Sequence, residues 1–210
     1  MIDRVALGRR FARVATDASV RSPLLWKLFR PFMRRQFDSL APRWDAMRLE
    51  DTLAPYEAAL AALDRTPARV LDVGTGTGAA ALMIARRFPE AEIVGVDISS
   101  AMLEQARRNI PEDLRARVTL ERGDASALRF EDGAFELVSH ANMIPFFDEV
   151  ARVVAPGGHA VFAFSSGAQT PIYVPSRRLR EELGRRGFTD FAEFRAGRGN
   201  AFLARKAAGA

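Results

Sequence analysis

Three acidic residues stand where they could hold a charged, nucleoside-like molecule: Asp72, Asp97 and Asp124. Asp72 lies two residues before Gly74-Thr75-Gly76-Thr77-Gly78, in which glycines take alternate positions. Such a loop removes Cβ atoms and frees backbone N–H groups, so a ligand can lie against bare main chain. The spacing is G-x-G-x-G, not the G-x-G-x-x-G of the dinucleotide fingerprint. A pyrophosphate beside Asp72 would be repelled, whereas an ammonium group would be attracted. That sign favours S-adenosylmethionine, which carries an α-amino group and no phosphate, over NAD.

Ile93-Val94-Gly95-Val96-Asp97 ends a second apolar run in an acid nineteen residues beyond Gly78. A carboxylate at that place accepts from ribose hydroxyls. Ser99 and Ser100 already supply helix caps, so Asp97 is not needed as one. Ile98 and Met102 are the apolar candidates for contact with an adenine ring. Gly123-Asp124-Ala125 closes a third run, where Asp124 could accept from the adenine amino group while the next N–H donates to the ring. Thr75 and Ser139 complete the candidate cofactor set.

Of the two histidines, His140 falls at the expected carboxyl end of a fourth strand. There it is a candidate catalytic or substrate-contacting group, with a structural role as the alternative; Asn142 is a candidate substrate contact beside it. His159 follows Gly158 at the start of the fifth strand and reads as structural. There is no Ser/His/Asp set, metal cluster or lysine-bearing phosphate loop. Methyl transfer needs none of these, because a sulfonium is a strong leaving group and alignment does much of the work. A base matters only where the acceptor must lose a proton early.

These residues require an alternating scaffold. The pattern predicts strand 69–73, helix 78–88, strand 92–97, helix 100–109, strand 117–121, strand 134–140, helix 145–154, strand 158–165, helix 176–187, and strands 189–195 and 199–205. Alternation of this kind means a doubly wound, mostly parallel α/β sheet, here of seven strands. The last two strands have no helix between them and should form an antiparallel hairpin. An N-terminal helical extension over residues 1–64 precedes the binding domain at 65–210.

The extension has its own character. Residues 1–48 hold eleven basic side chains against four acidic ones, a net of +7, while the whole chain of 210 residues is only +5. Residues 1–20 show little periodicity. Over 24–40 the apolar positions Leu25, Leu28, Phe29, Phe32, Met33, Phe37 and Leu40 recur at helical steps, with Lys27, Arg30, Arg34, Arg35 and Asp38 opposite. Pro31 should open a second helix or kink a longer one. Pro42 breaks the pattern, and Asp45 could cap a helix over about 46–64. The 24–40 helix packs on the core, roofs an apolar substrate, or rests on an anionic membrane surface. No apolar run approaches the ~20 residues of a membrane-spanning helix, and no signal peptide is evident, so the expected place is the cytoplasm, with membrane-peripheral contact allowed. With no cysteine in the chain, disulfides and thiolate chemistry are excluded.

Residues 69–165 resemble the class I S-adenosylmethionine-dependent methyltransferases, particularly the branch with the ubiquinone/menaquinone C-methyltransferases. The stretches that carry the likeness are VLDVGTGTG at 70–78, VDIS at 96–99, GDASALRFEDGAFELV at 123–138 and Ala155-Pro156-Gly157-Gly158. Phe37 to Asp45 is similar to the segment those enzymes carry before the core, with an aromatic where Trp44 stands. The resemblance implies that Asp72, Gly74, Asp97 and Asp124 hold the cofactor, and that Phe37 and Trp44 help close its pocket over a small-molecule acceptor. Arg129 stands where proline is usual, and Ser139 to Pro145 lacks the histidine pair and the Asn/Asp-Pro-Pro-aromatic signature of base-amino methyltransferases. Only about ten residues, Ser166 to Pro175, separate the fifth strand from the next helix, so a roof must come from the N-terminal helices. Two rivals remain: an NAD(P)-dependent reductase, and a basic RNA- or membrane-associated module that holds the cofactor without catalysis. Of these partners, nucleic acid is the less expected.

Overall fold

The computed structural model describes residues 4–47 and 50–209, with side chains from residue 12 onward except at 21, 23, 50 and 51. The side chains of Arg4, Arg9, Arg10, Arg21 and Arg48, all part of the basic count, therefore lie outside the described residues. The sheet runs β1 (Arg69–Val73), β2 (Glu92–Asp97), β3 (Val118–Arg122), β4 (Phe135–Ala141), β5 (Val154–Phe164), β6 (Phe188–Ala196) and β7 (Gly199–Lys206). Its seven strands are ordered β3-β2-β1-β4-β5-β7-β6. The pairs among β1 to β5 are parallel, while β7 lies antiparallel between β5 and β6. This is the doubly wound arrangement the alternation predicts, closed by the expected hairpin.

The strand order reverses between β1 and β4, and open sheets of this kind bind ligands outside the carboxyl ends of the strands at such a point. Register does the positioning. Asp72 pairs with Gly95 on one side and Ser139 on the other, so the Asp72 and Ser139 side chains share a sheet face. Gly95 must be bare: a Cβ there would lie 2.9 Å from Thr75 Oγ1 and 2.8 Å from Leu120 Cδ2.

Helices α4 (Ala79–Arg87), α5 (Ser100–Asn109), α6 (Phe147–Val153) and α7 (Ser176–Gly184) supply the crossovers and cover. One face buries Phe135, Val138, Phe162 and Phe202 with Phe147 and Leu179; the other buries Leu137, Val161 and Ala201 with Ile84. Strands β1 and β4 are buried along almost their whole length, as inner strands of a parallel sheet covered on both faces are.

The N-terminal part departs from the pattern-based reading. Residues Arg4–Arg21 form a helix, α1, where little periodicity was expected. Its buried side chains are Ala15, Thr16 and Ser19, which mark a helix face by small size and so leave no apolar stripe. Helix α2 (Pro23–Leu40) runs through Pro31 as one element. The helix expected over 46–64 is instead two 3₁₀ turns, Asp45–Met47 and Glu50–Leu53, then α3 (Ala54–Ala61), with residues 48–49 outside the described set. Strand β5 begins at Val154, four residues early, because the Ala155 to Gly158 turn forms an irregularity within the ladder.

Candidate cofactor site

The chain leaves β1 through three glycines in the left-handed region: Gly74, Gly76 and Gly78 have φ of 70°, 55° and 86°. Glycine adopts such values without the strain that most side chains incur. The loop folds back on β2: the Gly74 and Thr75 N–H groups both donate to the Val96 carbonyl, at 2.8 and 3.0 Å. Gly78 then starts α4.

Asp97, at the end of β2, locks onto this loop. Its Oδ2 accepts from the Gly76 N–H at 2.9 Å and its Oδ1 from the Ser99 N–H at 2.8 Å. A carboxylate has about four acceptor positions, so with the Ile98 N–H also acting on it Asp97 keeps capacity for a ligand hydroxyl. Burial pushes its pKa up to about 6, against the pull of the Ser99 and Gly76 donors.

Asp72 is 1% exposed. Its Oδ1 accepts from the Ser139 hydroxyl at 2.9 Å, and Ser139 Oγ in turn accepts from the Tyr56 hydroxyl at 2.5 Å. Its Oδ2 is buried with no hydrogen-bond partner among the described residues. Burial raises the Asp72 carboxyl above the usual range, with the Thr75 and Ser139 hydroxyls acting in the other direction.

Asp124 is held from two sides. Its Oδ1 accepts from the Ser126 N–H and hydroxyl at 2.9 and 2.8 Å, and from the Trp26 indole at 2.9 Å. Its Oδ2 accepts from Arg30 at 2.9 Å. Burial alone would raise this carboxyl; the Ser126 N–H, Arg30, the Ser126 hydroxyl and Trp26 outweigh it and hold it low.

The N-terminal segment covers the loop. Trp44 Nε1 lies 3.8 Å from where a Cβ on Gly76 would sit, and the Trp44 ring meets Phe37 edge-on at 5.7 Å. Asp38 accepts from the Ser99 hydroxyl at 2.6 Å. Asp45, expected to cap a helix, instead accepts from the Thr77 hydroxyl at 2.6 Å and from Asn109 at 2.9 Å. Behind the loop, a Cβ on Gly74 would fall 2.7 Å from Met143 Sδ.

The comparisons agree with this geometry. Residues 70–158 match the family model described as a methyltransferase domain. Over these residues the chain is similar to methyltransferase domains. A demethylmenaquinone methyltransferase of Thermus thermophilus is 41% identical over 137 residues, covering 60% of this chain and 62% of that protein. A malonyl-(acyl-carrier protein) O-methyltransferase of Halorhodospira halophila is 36% identical over 144 residues, covering 62% of this chain and 47% of its own. The chain thus spans less than two thirds of either relative. The solved phosphoethanolamine N-methyltransferase 2 of Haemonchus contortus, in complex with S-adenosyl-L-methionine, shares the fold with a TM-score of 0.67 at 20% identity, over 85% of this chain and 60% of its own.

Around the sheet the other candidates fall as follows. Met102 is buried and Ile98 half-buried, both close to Asp97 in the chain; Ala125 is buried beside Asp124. His140 takes the sheet face opposite Ser139, stacks on Phe162 at 4.8 Å, and has a buried Nδ1 without a partner among the described residues. Burial lowers its pKa to about 3. Asn142 has φ of 54° and its Oδ1 accepts from the Ser165 N–H at 2.9 Å, tying the ends of β4 and β5 together. His159 lies at the far edge of the sheet, 3.6 Å from Asp64. No metal-binding group of three or more His, Cys, Asp or Glu occurs among the described residues.

Sequence reasoning did not find Tyr56, Trp26, Arg30, Asp38 or Asn109 as site residues. Tyr56 reaches Ser139 across 83 positions and Trp26 reaches Asp124 across 98, so no local spacing marks them.

Proposed function

We propose that the protein is an S-adenosylmethionine-dependent methyltransferase acting on a small, apolar or lipid-like acceptor. The observation that carries this reading is Asp72: a buried carboxylate at the switch point with Oδ1 bonded to Ser139 and Oδ2 lacking a well-formed hydrogen bond among the described residues, the nearby Thr75 hydroxyl being likewise unbonded. An unpaired buried acceptor costs about 1–3 kcal/mol, and the α-ammonium of the cofactor satisfies it. The bare main chain at Gly74, Thr75, Gly76 and Gly78 admits close approach, and Asp97 offers its remaining acceptor capacity to the ribose hydroxyls. Ile98 and Met102 take the adenine face; Asp124 and Ala125 take its edge, with Asp124 shared with Trp26 and Arg30.

Bound there, the sulfonium supplies an electrophilic methyl with a good leaving group. The chain's own work is to align the acceptor and exclude water. Phe37 and Trp44 roof the loop, and residues 1–64 serve as cover to the binding domain at 65–210, with α3 also in the core through Tyr56 and Leu60. His140, held neutral, can accept a hydrogen bond through Nδ1 but is too weak a base to collect a proton at neutral pH. Asn142 fixes the neighbouring wall. A lipid-like acceptor is supported by the quinone named in the Thermus relative and by the exposed apolar residues of α2, which also favour a peripheral place on a membrane. Calorimetry should show binding of S-adenosylhomocysteine and none of NADH. A preference for the dinucleotide would overturn the reading; a screen of quinol, phenolic and amine acceptors for S-adenosylhomocysteine release identifies the acceptor class.

A further inference from the structure

Asp72 does not stand alone, and the protons in its surroundings can be counted. An ionised carboxylate can only accept, so the hydrogen between Ser139 Oγ and Asp72 Oδ1, 2.9 Å apart, belongs to Ser139. A serine hydroxyl has one hydrogen. With that hydrogen spent on Asp72, the 2.5 Å contact to Tyr56 requires the tyrosine to donate. The chain therefore has one direction, Tyr56 to Ser139 to Asp72. It is sealed, since all three residues are 1% exposed or less. Tyr56 comes from α3, outside the segment that matches the methyltransferase family at 70–158.

We infer that Tyr56 is a positioning residue for the cofactor's amino-acid end: through Ser139 it fixes the Asp72 carboxylate so that Oδ2 alone faces the α-ammonium. This rests on the proposed cofactor. Tyr56 does not touch the ligand. With its hydroxyl in place, Ser139 has an occupied lone pair and one stable orientation, and Asp72 Oδ1 is committed. Without it, the Ser139 hydroxyl can rotate to other acceptors and the carboxylate is no longer fixed. Linked hydrogen bonds in a dry interior also polarise one another, so the end acceptor is strengthened by the first donor.

The test uses two ligands that differ only at the relevant end. S-adenosylhomocysteine carries the amino acid, whereas 5′-methylthioadenosine has the same nucleoside and no ammonium. For Tyr56→Phe, the full-length protein should bind S-adenosylhomocysteine about three- to tenfold more weakly, bind methylthioadenosine as the wild type does, and melt within a few degrees of it. Ser139→Ala strands both Asp72 Oδ1 and the Tyr56 hydroxyl, so its loss for S-adenosylhomocysteine should be larger, again with methylthioadenosine unchanged; it also serves as the test if Tyr56→Phe does not fold. Equal weakening of both ligands would make Tyr56 a packing residue and overturn the inference, as would unchanged affinity for S-adenosylhomocysteine. If the wild type binds methylthioadenosine but not S-adenosylhomocysteine, Asp72 holds no ammonium and the inference falls while the nucleoside site stands. If it binds neither, the cofactor reading falls first and takes the inference with it.

Discussion

A carboxylate removed from water holds its proton more tightly, and at this site two carboxylates are treated that way. Asp97 is raised by burial to about 6, and Asp72 is raised by the same cause. The proposed ligand donates ribose hydroxyls to one and an ammonium to the other, and both need the ionised form. The sign follows: S-adenosylhomocysteine should bind progressively more weakly as pH falls through about 6, where Asp97 takes up its proton, and the raised Asp72 carboxyl acts in the same direction. In the ligand-free protein the sign is opposite. An acid whose folded pKa is raised favours the fold at low pH, and that contribution is lost as pH rises from the unfolded value through about 6 for Asp97. Calorimetric titrations at fixed ionic strength check the first effect, and a flat profile would show that neither carboxylate is bound as an anion. At pH 7.5, Asp97→Ala should weaken S-adenosylhomocysteine by at least about tenfold, since a hydrogen bond to a charged group contributes about 1.5–3 kcal/mol. The variant should still fold, so circular dichroism must stay native while affinity drops.

At the scale of elements, the N-terminal segment is bonded to the site on three sides: Trp26 and Arg30 to Asp124, Asp38 to Ser99, and Asp45 to Thr77 and Asn109. Trp44 over Gly76 is its central contact, so Trp44→Ala should lower affinity or turnover without unfolding the sheet. Full turnover in that variant on a soluble acceptor would remove the roof from the mechanism. Gly74→Ala combines a left-handed backbone with a Cβ 2.7 Å from Met143 Sδ, and it should cost at least about 1–2 kcal/mol of stability, read as a fall in melting temperature. What the sequence revealed and hid follows from the range of each interaction. The glycine loop, Asp97 after an apolar run and the Ser99 cap are local, so spacing alone placed them. Helix α1 was hidden because its buried face is Ala15, Thr16 and Ser19, too small to register as an apolar stripe. Asp45 showed a capping residue type but bonds Thr77, 32 positions away. Tyr56 sits in the short Ala-rich stretch Ala54–Ala61, and its polar partner Ser139 is 83 positions away.

At the scale of the whole molecule, charge and apolar exposure are gathered at one end. Residues 1–48 carry a net of +7, so the remainder of the +5 chain is slightly acidic. Helix α2 divides this segment cleanly. At 100° per residue, Trp26, Met33 and Phe37 fall on one side, toward Asp124 and the core. Leu24, Leu28 and Phe32 form a row on the other side, and are 72%, 74% and 52% exposed. Lys27 and Arg34 lie along one edge of that row, and Arg35 continues its line toward the helix C-terminus. An apolar stripe edged with cations suits the interface of an anionic bilayer, where each cation near the surface adds about 1 kcal/mol and the leucines enter the acyl boundary. No helix among the described residues is long and apolar enough to cross a membrane, so the contact would be peripheral. The full-length protein should sediment with vesicles containing phosphatidylglycerol, remain in the supernatant with phosphatidylcholine alone, and be released as salt shortens the electrostatic range. Leu24→Asp combined with Leu28→Asp should abolish sedimentation while leaving S-adenosylhomocysteine affinity unchanged, because neither leucine faces the site. A wild type that ignores anionic vesicles at low salt would rule the surface out as a membrane contact. If light scattering then showed a dimer that the same double variant converts to a monomer, the row would be an interface between two copies of this chain.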